Sequence, residues 1–427
     1  MCDLNRRNFH HDGFGRKHSL ARINRLAFLT GVLGCLAIIS PAMAEPGVTD
    51  SVIRIGSTQP LTSDISLNAE RIKNGMEAAL KNQKVQGRSI ELVVLNDSYE
   101  PSAAVKAAKQ LIDQGIFLML GSTGSPTAKA VLPVLAENKV PAVGFINAAG
   151  FTEPGDILNF RAPCAQEVTT VVEAALAAGV KPAEICAYVQ NDSLGMAGLK
   201  GIRVALGKQA QTADLVATLD QIIAVGGDNP KRNNIGPVGV HQRETLSVSE
   251  GYLSLKAWEK KSGMPCRFVV TALTPLPAVQ FISYAATLKG EKWAFSVVSP
   301  AVDKALIDGL NQYNVKSKVI ATSVTPLADS GLPIVKEAQK ALGPNFNLIS
   351  LESYMVGKMF LMIANNIQGE LTRANFLAAA RAHPYDLGGV VVDYTKDNQG
   401  SDFVQLMSLQ DGEFKAVGAS ELRKLFQ

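Results

Sequence analysis

Histidine is scarce in this chain and poorly placed for chemistry. Of five histidines, His10, His11 and His18 fall in the first 44 residues, which leaves His241 and His383 on unrelated segments. Two isolated imidazoles argue against a His-based metal site and against a serine nucleophile with its base. Cysteine is equally thin. Beyond residue 44 only Cys164, Cys186 and Cys266 remain, an odd number without close spacing. That pattern is neither a zinc site nor a disulfide framework, and Cys186 and Cys266, each at the start of an apolar strand, read as buried free thiols. A surplus of charge is missing too. The net +4 sits in residues 1–44, which hold six Lys/Arg against two Asp/Glu, so the remainder is balanced and has no electrostatic footprint for nucleic acid. The G-x-x-x-x-G-K-[ST], H-E-x-x-H and G-x-S-x-G patterns are absent, and Asp97, Glu100 and Asp192 form no acid/base pair. No catalytic residue, metal or cofactor is expected, and the chain reads as a non-enzyme.

What is present begins with a leader. Arg22 and Arg25 precede an apolar run over residues 26–39, Pro41 breaks it, and Ala42-Met-Ala44 is a small-residue cleavage site. Residues 1–44 therefore read as a secretory signal peptide cut after Ala44. Arg6-Arg7-Asn8-Phe9 hints at twin-arginine export but lies far upstream of the apolar run. Val32-Leu-Gly-Cys35 hints at a lipoprotein site, yet apolar residues continue past Cys35. No later segment is long and apolar enough to span a bilayer, so the product is expected to be soluble and exported.

Downstream, apolar strands alternate with amphipathic helices. Strands are expected at 52–57, 90–95, 116–120 and 140–145, separated by helices that include one opened by Pro101 and stopped at Gly115 and another over 126–138. A second block repeats the style, with strands at 184–189, 267–272 and 293–298 and helices at 195–206, 250–261 and 278–288. Further helices follow at 303–314, 333–342, 352–367 and 372–383, with a strand at 319–322. From Gly388 onward the pattern changes to antiparallel hairpins. Such alternation implies parallel sheets covered on both faces, in two similar halves. The long loop Gly226–Pro237 reads either as a surface excursion or as a cleft flap or subunit contact.

The segment Ile116-Phe-Leu-Met-Leu-Gly-Ser-Thr-Gly-Ser-Pro-Thr127 is the most informative. A buried strand ends in a hydroxyl-rich turn and feeds a helix N-terminus, which is where open α/β sheets collect ligands. Ser122, Thr123, Ser125 and Thr127 supply neutral hydrogen bonds. Ser125 before Pro126 serves equally as a plain helix N-cap. Asn147-Ala148 and Gln190-Asn-Asp-Ser193-Leu194 follow other strands and face the same cleft, or are ordinary turns with Ser193 as a cap.

These phrases, taken in order, resemble one family. Ile53-Arg-Ile-Gly-Ser-Thr-Gln-Pro-Leu-Thr62, Asn74-Gly75, Asn96-Asp97, Leu120-Gly-Ser-Thr-Gly-Ser125, Phe151-Thr-Glu-Pro-Gly155, Ser350-Leu-Glu-Ser-Tyr354 and Asp386-Leu-Gly-Gly389 are similar to the leucine/isoleucine/valine (branched-chain amino acid) binding proteins of ABC importers. The resemblance covers nearly the whole chain after the leader. It implies a type I periplasmic binding fold, α/β, with two doubly wound parallel-sheet lobes joined by a three-crossing hinge. Lobe 1 is expected over residues 50–165 plus 301–384, and lobe 2 over 166–300 plus 385–427. The implied function is capture of a small ligand between lobes and delivery to an ABC permease in the inner membrane, with the protein in the periplasm. A ligand sensor of the same fold is the alternative, and an exported hydrolase using Ser122 or Ser125 is a third reading. By the resemblance, the loop of Ser122, Thr123 and Ser125 and the turn Asn147–Ala148 hold a carboxylate, and Asn68, Leu194 and Thr274 line the same site. Asn68 occupies a place often aromatic and Leu194 one that is often Tyr. Thr274-Pro-Leu-Pro277 carries no acid to neutralise an ammonium. The expected ligand is accordingly a carboxylate or amide with an apolar body.

Overall fold

Ile- and Val-rich strands that are buried on both faces need cover on both sides, and helices supply it. The computed structural model describes residues 45–426 apart from 228, 229 and 244, and the expected leader lies outside them. Among the described residues the first sheet contains β1 (Val52–Gln59), β2 (Lys84–Val85), β3 (Arg88–Asn96), β4 (Met119–Leu120), β5 (Ala142–Val143) and β6 (Ile157–Leu158), in the order β2-β3-β1-β4-β5-β6. All pairings are parallel except that of the short β2. The second sheet contains β7 (Ile185–Gln190), β8 (Val238–His241), β9 (Phe268–Ala272), β10 (Ala294–Val297) and β11 (Val319–Ser323). After a small ribbon of β12 (Tyr385–Asp386) and β13 (Val391–Val392), it is completed by β14 (Gln405–Gln410) and β15 (Glu413–Ala416). Its order is β15-β14-β11-β10-β9-β7-β8, with the last two strands in the chain added antiparallel.

The chain is thus α/β with two mostly parallel sheets, as the alternation implied. It crosses between them three times, over residues 159–163, 324–332 and 393–404. The helix Cys164–Ala177 puts Val168, Val171 and Val172 into the core of the second sheet. The helices Pro333–Leu342 and Leu348–Asn365 return to the first, where Ile334, Met355 and Met359 join Ile53 and Met76. There the helices Ser66–Leu80 and Leu348–Asn365 touch backbone to backbone. A Cβ on Gly75 would fall 2.0 Å from the Ser353 hydroxyl, so only glycine fits at this crossing.

Two boundaries differ from expectation. Residues 301–384 were assigned with the first half, yet β11 lies inside that range and pairs with β10 of the second sheet. Residues from 385 onward were assigned with the second half, but Tyr385, Leu387, Val392 and Tyr394 pack into the first core. The changes of sheet fall in short irregular segments that carry no composition signal, and the bounds implied by the resemblance lie about two elements away from them. The helix Ala213–Ala224 also escaped the sequence reading.

The thiols differ as well. Cys186 and Cys266 form a disulfide with Cα atoms 5.7 Å apart, while Cys164 is free and buried. The expectation of free thiols fails because 80 residues separate the partners in sequence. The adjacency of β7 and β9, with Cys186 opposite Val269, brings them together. A link closing so long a loop chiefly restricts the unfolded chain. Replacing both cysteines with alanine should lower unfolding stability by about 2–4 kcal/mol, read as a shift of the urea midpoint.

Candidate functional site: a cavity between the two sheets

The carboxyl ends of the central strands of both sheets open onto one cavity. Its non-atom space is about 560 Å³, open solvent at its mouth included. Six residues singled out from sequence line it: Asn68, Thr123, Ser125, Ala148, Leu194 and Thr274. Ser122 and Asn147 do not. The Ser122 hydroxyl is turned into the sheet, where it accepts the Thr58 N–H at 3.0 Å. Asn147 accepts the Gly150 N–H at 3.0 Å, and its amide nitrogen is buried without a partner.

The helix Ser125–Glu137 begins at the rim. Its cap is Gly124, at φ 103°, so Ser125 is the first helical residue and not the cap. Its hydroxyl instead accepts the Ala149 N–H at 3.1 Å, tying the two rim turns together and leaving its own proton available. N–H groups of a first helical turn have no intrahelical partner, and the macrodipole favours an anion there. Thr123 is committed elsewhere, its hydroxyl donating to Gln59 Oε1 at 2.7 Å. From the second half, Leu194 stands at the start of the helix Ser193–Gly207, which Asp192 rather than Ser193 caps by accepting the Leu194 N–H at 2.9 Å. Thr274 caps Pro275–Thr287 by backbone alone, so its hydroxyl is not used in capping.

Four polar lining residues were not expected: Tyr99, Arg161, Ser299 and Glu352. Tyr99 follows β3, and the rim rule applied to that strand would have found it. Ser98 and Tyr99 both take left-handed φ, 52° and 62°, a conformation sparsely populated outside glycine. Asn96 and Asp97 side chains hold them by accepting the N–H groups of Ser98 (3.0 Å) and Tyr99 (2.9 Å). Arg161 and Glu352 are lone charges in apolar phrases, and that is the signal they offered. Arg161 is 2% exposed and pairs with Glu167 at 2.9 Å and with Glu352 at 3.4 Å. Ser299 joins this network through Glu167. The acids raise the guanidinium's affinity for its proton despite burial, which acts the other way. Burial pushes the Glu352 carboxyl up from its ordinary value, with Arg161 opposing.

Contacts bridge the halves on either side of the cavity. Arg243, beyond β8, donates to the Tyr99 carbonyl at 2.7 Å and to both Glu100 oxygens at 3.1 and 3.2 Å, with its guanidinium 5.6 Å from the Tyr99 ring centre. Arg71 donates to Asp303 at 3.1 Å, and Asn68 to the Pro300 carbonyl at 3.4 Å. The described part of the 226–237 loop is pinned rather than a free excursion. Its buried Arg232 holds Asn191 Oδ1 at 2.6 Å and the Ile222 carbonyl at 3.1 Å. The arrangement provides enclosure, donors and apolar walls, but neither rim serine meets an imidazole. His241 bonds Tyr188 at 3.1 Å in the second core.

Residues 52–222 match the family model described as periplasmic binding protein. A leucine/isoleucine/valine-binding protein of Rhizobium johnstonii is 31% identical over 108 residues, 24% of this chain. The matched stretch spans 29% of that relative's length. A crystal structure of a possible leucine/isoleucine/valine-binding protein from Rhodopirellula baltica superposes with a TM-score of 0.73 at 24% identity, covering 87% of this chain and 98% of that one. The chain has the type I fold of periplasmic binding proteins. Its similarity to the leucine/isoleucine/valine-binding family, expected from scattered phrases, is found in both sequence and fold. An R. palustris solute-binding protein crystallised with 4-hydroxybenzoate shares the fold at 19% identity, TM-score 0.64, with 86% of this chain and 96% of that one covered. These similar proteins are binding proteins, not enzymes.

Two outcomes test the site's electrostatics. Buried Asp97 has one oxygen without a partner, and burial pushes its carboxyl to about 6. Its folded value lies above the unfolded one, so its contribution is full below about pH 4 and is lost as pH climbs through about 6. Asp97→Asn should therefore stabilise the fold at pH 8, by up to about 3 kcal/mol, and change little at pH 4, as read from urea midpoints at both values. Arg161→Met leaves two buried acids without their cation. It should cost about 3–5 kcal/mol at pH 7. The deficit should shrink toward pH 5 as the buried Glu352 carboxyl, already pushed up by burial, takes up a proton, which the same titrations measure.

Proposed function

We propose that this protein is the periplasmic solute-binding component of an ABC importer. It closes two lobes around a small carboxylate- or amide-bearing ligand with an apolar body, and passes the ligand unaltered to a permease in the inner membrane. The observation that carries this reading is the enclosed cavity between the sheets, lined by the Ser125 hydroxyl and a helix N-terminus on one side and by Leu194, Ile65 and Ile146 elsewhere. An anionic or carbonyl oxygen fits the first, an apolar body the second.

Other features support the reading. The bridges from Arg243 and Arg71 are what a closed form needs, since each joins groups that separate when the lobes part. The Cys186–Cys266 disulfide suits an oxidising compartment. Among the described residues no helix is long and apolar enough to cross a membrane. Proteins of this fold have been crystallised with benzoate and with 4-hydroxybenzoate, so the architecture accommodates acids with apolar bodies.

Ser125→Ala removes one ligand-facing hydroxyl and the tie to Ala149. Calorimetric titration with 4-methylpentanoate and benzoate should show binding weakened about tenfold, the equivalent of one hydrogen bond, while the thermal midpoint moves by only a few degrees. Unchanged affinity would remove Ser125 from the site.

A further inference from the structure

Glu352 carries a carboxylate oxygen that the protein leaves without a donor. The residue is 5% exposed and lines the cavity from the helix Leu348–Asn365. Its neighbour in the charge network, Glu167, is fully supplied. Glu167 accepts from Arg161 Nη2 at 2.9 Å, from the Ser299 N–H at 2.9 Å, from the Ser299 hydroxyl at 3.0 Å and from the Thr322 hydroxyl. Glu352 Oε1 receives only the approach of Arg161 Nη1 at 3.4 Å, too long for a good charged hydrogen bond, and no other donor reaches it. The cavity wall also includes Ile72, Ile349 and Pro300, whose side chains offer no donor.

One guanidinium faces two carboxylates, so the network has an acceptor and a negative charge to spare. A buried acceptor without a donor is costly, and a bound group that donates to it recovers that cost.

We infer that Glu352 reads a hydrogen-bond donor on the ligand, an N–H or O–H group carried in addition to the carboxylate or amide end. Glu352 is then the residue that separates donor-bearing acids from bare ones. This rests on the ligand-binding reading of the cavity given above.

Two probe series test it by calorimetric titration. The first is 4-methylpentanoate, 2-hydroxy-4-methylpentanoate and leucine, with the donor beside the carboxylate. The second is benzoate, 4-hydroxybenzoate and 4-(aminomethyl)benzoate, with the donor at the far end. In at least one series the wild-type protein should bind a donor-bearing member about tenfold or more tightly than the bare acid. Glu352→Leu should abolish that preference. Glu352→Gln, which keeps an acceptor but no charge, should retain preference for the hydroxyl member and lose it for the ammonium member. Both variants leave Arg161 and Glu167 as a neutral pair, and a thermal melt checks that they fold. Equal binding of bare and donor-bearing acids by the wild type overturns the role of Glu352 alone, as does a preference that survives Glu352→Leu. If no acid of either series binds, the carboxylate reading of the cavity fails and this inference falls with it.

Discussion

A buried cation at the first crossing point organises the region where the two sheets meet. Arg161 lies just beyond β6, where the chain leaves the first sheet, and pairs with Glu167 at the start of the next helix and with Glu352 on a helix of the first core. Taking three charges out of water is tolerable only if each finds partners. That demand fixes the crossing segment, the start of the helix Cys164–Ala177 and the helix Leu348–Asn365 against one another. Gln399, on the third crossing, donates to the Arg161 carbonyl, so a second linker is tied to the same residue. The cavity floor is therefore held by the same groups that hold the crossings.

On this frame, parallel-sheet geometry does the rest. Strand ends of both halves point toward a common gap, and each rim turn delivers either a hydroxyl or a helix start. Tyr99 is the exception in kind. It is set in the gap by a left-handed backbone pair, and Arg243 grips its carbonyl from across the opening. Such a residue belongs structurally to one half while its position depends on the other.

Much of this was legible in the sequence, because burial on two faces writes continuous apolar runs and helices write a 3.6-residue period. The rim rule pointed to Thr123, Ser125 and Ala148, which line the cavity, because it depends only on where strands end. It failed at Ser122 and Asn147, whose direction depends on which face of the turn meets the sheet, and no local pattern encodes that. Arg161 and Glu352 lie 191 positions apart in a chain without another marker of their pairing. The disulfide and the sheet-changing segments were hidden for the same reason: their partners are adjacent only after folding.

The wiring of the tail has a consequence for how the molecule comes into being. The first core waits for the helices of residues 333–365, made after most of the second sheet, and the second sheet waits for β14 and β15 near the very end. Each half is a discontinuous unit whose packing closes only when segments distant in sequence are brought together.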